Sequence, residues 1–176
     1  YPQYDASLLA DVSPQTKVYR TKSREVLSFY KKISSKGEMP HTGFSNEPNP
    51  NFWQKAARFI RGNFFLPDAR RGWNSYAYKK AVQLILQEGI DTIVTTTPPH
   101  STQLVGLKLK KKFPRLKWVA DLRDPWSEIF YQDKLYQTSL ARWINKRYEK
   151  QVLTHADQVI TVSDSCANLF KSKVQP

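Results

Sequence analysis

Two hydrophobic patterns alternate along the second half of the chain. Short apolar runs typical of strands are separated by longer stretches in which apolar residues recur every three or four positions. The predicted strands are Asp91–Thr97, Lys117–Asp121 and Gln158–Val162. The predicted helices are Ser101–Phe113, Leu140–Leu153 and Ser165–Lys171. This alternation predicts right-handed crossover connections, and therefore an α/β, Rossmann-like domain with a mostly parallel sheet flanked by helices.

The pattern is weaker in the first half. It predicts a short helix over Asp5–Val12, a strand over Lys17–Thr21 and a helix over Arg24–Lys32. Residues 34–51 are rich in Pro, Gly and Asn and have no periodicity, which predicts a flexible loop. Two further helices are predicted over Phe52–Phe65 and Ser75–Gln87, the first of them ended by Pro67.

Two of the predicted helices are amphipathic. In Phe52–Phe65 one face carries Trp53, Ala56 or Ala57, Ile60 and Phe64, and the other carries Lys55, Arg58 and Arg61. This basic and aromatic composition suits a helix that lies in a membrane interface, but it also suits ordinary packing on the sheet. For the helix Leu140–Leu153, the residues expected to face inward are Trp143, Ile144, Tyr148 and Val152.

Charge narrows the range of partners. The 176 residues include 28 Lys and Arg but only 15 Asp and Glu, a formal net charge of +13. Such a balance favours an anionic partner, which could be a nucleic acid, a phosphorylated metabolite or an acidic membrane. A nucleic acid is the weakest of these, because no element carries a basic stripe interleaved with aromatic residues. The single cysteine, Cys166, favours a reducing compartment and is expected to pack as a small apolar residue.

Polar or ionisable residues follow each of the three clearest strands. They are Pro98 to Thr102 after the first, Asp121 to Trp126 at the end of the second and Ser163 to Ser165 after the third. Ligands of open parallel sheets bind beyond the carboxyl ends of the strands. We therefore expect these three segments to converge on one edge of the sheet.

The first segment has features of an anion site. The amides of Ser101 and Thr102 begin a helix, where free N–H groups attract phosphate or carboxylate. His100 could donate to that anion or act as a general base. The alternative is that Ser101 only caps the helix and His100 is a surface residue without a role.

The second segment places two carboxylates around one guanidinium. Arg123 could bind a phosphate or carboxylate bidentately, while Asp121 or Asp124 could orient a sugar hydroxyl or take its proton. The alternative is an ion-paired turn with Trp126 packed in the core. Three scattered histidines and one cysteine give no metal-binding spacing, and the six glycines form no phosphate-binding loop.

Several segments resemble the N-terminal domain of family 4-type bacterial glycosyltransferases. They are Ile93–Ser101, Trp118–Trp126, Leu66–Arg70 with Gly72 and Trp73, and Ile160–Ser163. The resemblance covers about residues 1–175 and implies the GT-B fold, in which two Rossmann-like domains face each other across a cleft. The chain would be a partial acceptor-side domain over residues 1–176, with the first strands before Tyr1 and the donor-binding domain after Pro176.

The resemblance also implies a function and a set of site residues. The intact enzyme would transfer a sugar from a nucleotide-diphosphate sugar to a saccharide or lipid-linked acceptor in cell-surface polysaccharide synthesis. The implied catalytic candidates are His100, Asp121, Arg123 and Asp124. The implied substrate-binding candidates are Thr97, Pro99, Ser101, Trp126, Ser163, Asp68 and Arg70.

No metal or other cofactor is expected, since Lys and Arg would neutralise the leaving phosphate. The expected location is the cytoplasm, with peripheral binding at the inner face of an anionic membrane. A homodimer is one way in which the sheet could be completed. The alternative to an enzyme is a basic module that binds nucleic acid or docks on a membrane without catalysis.

Overall fold

A parallel sheet lies at the centre of the structure, a computed structural model that describes residues 11–24, 52–129 and 132–174. Within these residues its three strands are β1 (Thr92–Thr96), β2 (Lys117–Asp121) and β3 (Gln158–Ile160), in the order β1-β2-β3. Thr96 of β1 lies opposite Asp121 of β2, and Asp121 lies opposite Ile160 of β3. The predicted α/β fold with a parallel sheet is confirmed.

The helices of the described residues agree with the predicted ones to within about three residues at each end. They are α1 (Phe52–Phe64), α2 (Asn74–Glu88), α3 (Ser101–Lys112), α4 (Ser139–His155) and α5 (Asp164–Val174). Short 3-10 turns cover Ala69–Trp73 and Asp133–Leu135. Helix α3 lies on β1 and β2 and also contacts α2 and α4. It is therefore the element that joins the helical layer to the sheet.

The main core lies between the sheet and helices α3, α4 and α5. Its buried residues are Leu104, Leu107, Trp118, Ala120, Leu122, Trp126, Val152 and Phe170. Trp118 is completely buried, and its indole Nε1 donates to Thr95 Oγ1 at 2.8 Å. Gly106 of α3 lies directly against the indole, since an added Cβ would be 2.4 Å from Trp118 Nε1. Cys166 packs against this cluster, as expected of a small apolar residue.

The opposite face of the sheet is open in the part of the chain that the structure describes. Val94 of β1 is 65% exposed and Ile160 of β3 is 48% exposed. Their neighbours Thr95 and Val159 point toward the helical layer, as the alternation of side chains along a strand requires.

The strand predicted over Lys17–Thr21 is wrong. Residues 11–24 form a turn followed by irregular backbone. Val18 is 65% exposed, and Lys17 contacts the rest of the domain through its side chain, whose Nζ lies 3.2 Å from Glu88 Oε2. A strand depends on cross-strand packing, which local sequence cannot supply. Apart from Asp11, Val12 and Arg24, the predicted helices Asp5–Val12 and Arg24–Lys32 lie outside the described residues, as does the loop 34–51.

The expected orientation of α1 is wrong at Arg58, Ile60 and Phe64, although Lys55 is exposed as expected. Arg58, placed on its polar outer face, is buried at 4% exposure, whereas Ile60 and Phe64 are 43% and 72% exposed. The reason is a close contact with the second 3-10 turn, because an added Cβ on Gly62 would lie 2.4 Å from the carbonyl oxygen of Leu135. The face that carries Gly62 must therefore turn inward, which leaves Ile60 and Phe64 on the outside.

In helix α4, one residue that was predicted to face inward is exposed. Val152 is fully buried, and Ile144 and Tyr148 are partly buried, as predicted. Trp143, which was expected to face inward, is 54% exposed. The buried face of α4 is completed instead by Ala141, Asn145 and Glu149.

Candidate functional site

An ion pair lies at the carboxyl edge of the sheet, where β1 and β2 end side by side. Thr96 Oγ1 donates to Asp121 Oδ2 at 2.6 Å, and Arg123 Nε lies 3.3 Å from the same oxygen. The Asp121 side chain is 20% exposed, but that of Arg123 is 61% exposed. The carboxylate is thus anchored by the strands, and the guanidinium that it orients is accessible to a ligand.

Thr97 joins the segments that follow β1 and β2. Its hydroxyl accepts from the Arg123 amide at 3.0 Å and donates to the Asp121 carbonyl at 3.3 Å. Its own amide donates to that carbonyl at 3.0 Å. Since Thr97 is only 1% exposed, the structure places this predicted substrate-binding residue beneath the surface. There it positions the backbone of Arg123.

Gln103 supports the same edge and was not found by sequence reasoning. Its side-chain amide donates to the carbonyls of Asp121 at 3.0 Å and Thr95 at 3.1 Å, and it is fully buried. A polar side chain on the buried face of α3, beside Leu104 and Val105, was the available signal. Buried amides require partners, and those of Gln103 are the strand ends.

The start of α3 is occupied by a carboxylate of the protein itself. Asp68 accepts from the Ser101 amide at 2.7 Å and from the Ser101 hydroxyl at 2.9 Å, and also from the Arg70 amide at 2.8 Å. The Thr102 amide donates to the Pro99 carbonyl at 3.2 Å. The expectation of free amides for an external anion is therefore wrong. The helix does attract an anion there, but Asp68 supplies it.

His100 is buried beside this helix start rather than lying on the surface. It is 6% exposed, and its ring centroid lies 5.3 Å from that of Trp126. Burial lowers the pKa of His100 below its ordinary value of 6.5, although a hydrogen bond with the Asp124 backbone and the charges of Asp68 and Glu149 act in the opposite direction. Its Nε2 has no hydrogen-bond partner among the described residues. The imidazole is therefore neutral at pH 7 and retains an unused polar atom.

Trp126 belongs to the core, which is the alternative that the sequence left open. It is 1% exposed, its indole Nε1 donates to Asn145 Oδ1 at 3.3 Å, and its amide donates to Glu149 Oε1 at 3.2 Å. These contacts tie the segment after β2 to α4. Trp126 thereby supports the His100 ring from the side of the core.

The remaining predicted residues are spread along the edge. Asp124 is exposed next to Arg123, Pro99 is partly buried, and Arg70 is exposed on the turn that follows Asp68. Ser163 is exposed at the start of α5, where its hydroxyl accepts from the Cys166 amide at 3.3 Å. Ser163 therefore acts as a helix cap in the structure. The accessible groups that the structure brings together are those of Thr96, Asp121, Arg123 and Asp124.

Residues 11–24, 52–129 and 132–174 contain no group of three His, Cys, Asp or Glu side chains that could hold a metal ion. None of the helices in these ranges is long and apolar enough to cross a lipid bilayer.

The parallel sheet and the polar groups beyond its carboxyl ends define a Rossmann-like α/β domain with its candidate ligand site at the usual edge. A family model described as Glycosyltransferase Family 4 matches residues 40–176, which is more than half of the chain. The chain belongs to this glycosyltransferase family. No curated protein and no solved structure matches it.

Proposed function

We propose that the protein transfers a sugar from a nucleotide-diphosphate sugar to a saccharide or lipid-linked acceptor in the synthesis of a cell-surface polysaccharide. Family membership supports a glycosyltransferase in general. The observation that carries the proposal further is the accessible Arg123 guanidinium at the carboxyl edge of the sheet, 61% exposed and oriented by Asp121.

Arg123 has the chemistry that such a substrate requires. A guanidinium can bind phosphate through two parallel hydrogen bonds, and its charge stabilises the negative charge that develops on a departing diphosphate. Asp121 keeps its carboxylate on the guanidinium and on Thr96, which leaves Arg123 pre-oriented before the substrate binds. In this proposal Arg123 is the catalytic residue and Asp121 positions it.

Asp124 and His100 have different roles in the proposal. The exposed Asp124 carboxylate can accept a hydrogen bond from an acceptor hydroxyl or take its proton. His100 is a positioning residue, since it is buried and its ring packs on Trp126, two residues after Asp124. A neutral imidazole at this place supports the segment of Asp124 without adding a positive charge to it.

The GT-B arrangement and a metal-independent transfer are part of the proposal and depend on the family resemblance. A second Rossmann-like domain would hold most of the donor and face the carboxyl edge across a cleft. The residues of this chain would then contribute the acceptor side and the guanidinium nearest the leaving group.

The complete protein with Arg123→Ala tests the proposal. Arg115→Ala is the matched control, because Arg115 is also an exposed arginine but precedes β2 at the opposite end of that strand. We expect Arg123→Ala to lower kcat/KM by roughly 100-fold or more, as for loss of one charge-stabilising donor. The assay is release of nucleoside diphosphate from a panel of nucleotide sugars. Equal activity of the two variants, with circular dichroism unchanged, would remove Arg123 from the mechanism.

A further inference from the structure

The outward side of α4 is both basic and apolar. Its residues, which we call the α4 face, are Leu140, Trp143, Lys146, Arg147 and Lys150. Leu140 is 65% exposed and Trp143 is 54% exposed. Large apolar side chains in such positions are unusual for a helix whose opposite side packs in the core.

The fold holds the α4 face toward solvent. On the inner side of the helix, Asn145 accepts from the Trp126 indole at 3.3 Å, and Glu149 accepts from Lys173 at 2.8 Å. Both inner residues are 1% exposed. Because α4 cannot rotate without breaking these buried contacts, Trp143 remains outside.

The α4 face is positively charged, since each of its ionisable residues is a lysine or an arginine. The acidic side chain of α4, Glu149, is buried and paired with Lys173. In the described parts of the chain, Lys146, Arg147 and Lys150 make no ion pair, and Arg147 lies 5.3 Å from the Trp143 ring centroid. The result is a positive surface with an aromatic centre.

A second apolar surface adjoins the start of α4. Asn63 of α1 accepts from the Thr138 amide at 2.7 Å and from its hydroxyl at 2.8 Å. The next residue of α1, Phe64, is 72% exposed, and Leu140 follows Thr138 by two positions. Exposed apolar side chains therefore flank this junction on both helices.

We propose that the α4 face docks the protein on an anionic lipid membrane, independently of sugar transfer. Tryptophan prefers the headgroup level of a bilayer, and each lysine or arginine near an anionic leaflet adds to the attraction. A helix with Trp and Leu between Lys and Arg is typical of an interfacial helix. A single-stranded nucleic acid fits less well, because successive bases would need several stacking platforms and the α4 face has one aromatic ring.

Vesicle flotation of the complete protein tests the charge contribution. The vesicles are phosphatidylcholine with or without phosphatidylglycerol, at low and at high salt, and no sugar donor is present. The variant is Arg147→Glu with Lys150→Glu. The matched control is Lys108→Glu with Lys111→Glu, which makes the same charge change at the same spacing on exposed positions of α3.

We expect the wild type to bind only the anionic vesicles, and more weakly at high salt. The α4 variant should lose about 30-fold or more in partitioning, and the α3 control less than about threefold. Equal losses in both variants would show nonspecific attraction by the net charge and would overturn the proposal. The proposal would also be overturned if the wild type bound duplex DNA but not vesicles, and if only the α4 variant lost that DNA binding.

Fluorescence quenching by brominated phospholipid tests insertion of the apolar centre. We expect quenching of the Trp53→Phe protein, and we expect most of it to disappear when Trp143→Phe is added. Trp118 and Trp126 are buried at 0% and 1% exposure, and Trp73 packs against a second core cluster. Unchanged quenching in that variant would place the inserted tryptophan elsewhere and contradict the α4 face.

Discussion

Replacement of Lys173 tests directly whether a buried ion pair stabilises the packing of α4 and α5. Glu149 of α4 is 1% exposed, and Lys173 of α5, 17% exposed, places its Nζ 2.8 Å from Glu149 Oε1. The same carboxylate accepts from the Trp126 amide and from the Ser127 hydroxyl. One carboxylate therefore ties together α4, α5 and the segment after β2. Among the described residues its cation is Lys173, which also pairs with Glu128.

The substitution Lys173→Met keeps most of the side-chain volume but leaves the carboxylate without its cation. Breaking a buried pair in this way costs about 3–5 kcal/mol, and the partial exposure of Lys173 favours the lower end. For an unfolding m-value of about 1–3 kcal/mol/M, the urea midpoint should fall by roughly 1–3 M. The measurement is urea unfolding followed by circular dichroism.

Lys171→Met is the control, since Lys171 is an exposed lysine on the same helix. It should change the free energy of unfolding by less than about 0.5 kcal/mol. Adding Glu149→Gln to Lys173→Met should restore part of the free energy of unfolding that Lys173→Met removes, because the buried charge is then gone. This second variant also gives a readout if the single variant does not fold. Similar midpoints for Lys173→Met and Lys171→Met would refute the assignment of a buried, energetically important pair.

Three further predictions concern the site and its support. Gly106→Ala should lower the free energy of unfolding by about 1–3 kcal/mol in a thermal melt, because its Cβ would lie 2.4 Å from the Trp118 indole. A stabilised variant would contradict that contact. The pKa of His100 is lowered from 6.5 in the folded state, so the free energy of unfolding should fall as the pH drops below about 6.5. Urea titrations at several pH values should show a smaller fall for His100→Gln. An identical pH profile for that variant would exclude His100 as the group responsible. Thr97→Val removes the acceptor of the Arg123 amide, so hydrogen exchange at that amide should accelerate by about tenfold or more. Unchanged exchange would show that Thr97 does not hold the backbone that follows β2.

Local patterns predicted the strands and helices of the second half well. The short apolar run in Thr92–Thr96 is typical of a buried strand, and the three-to-four-residue spacing in Ser101–Lys112 follows the backbone period of a helix. The same patterns did not predict which side of α1 faces the protein. That choice depends on the contact of Gly62 with Leu135, two residues far apart in the chain.

The candidate site was predictable to a similar degree. That Asp121, Arg123 and Asp124 follow a strand is visible in the sequence, and the parallel order of the sheet brings them to one edge. The role of Asp68 was not visible, since its partner Ser101 is 33 residues away. Before that contact is known, the start of α3 looks like an open anion site.

The sequence by itself determined the α/β class, the parallel sheet, the strand ends that carry polar groups and the strong positive charge. These depend on composition and on backbone periodicity, which neighbouring residues define. Only the tertiary structure decided that Asp68 occupies the start of α3, that Arg123 is accessible while Thr97 is buried, and that α4 turns Trp143 outward. Each of these depends on contacts between residues distant in the chain, and packing alone selects among the faces and partners that the local pattern allows.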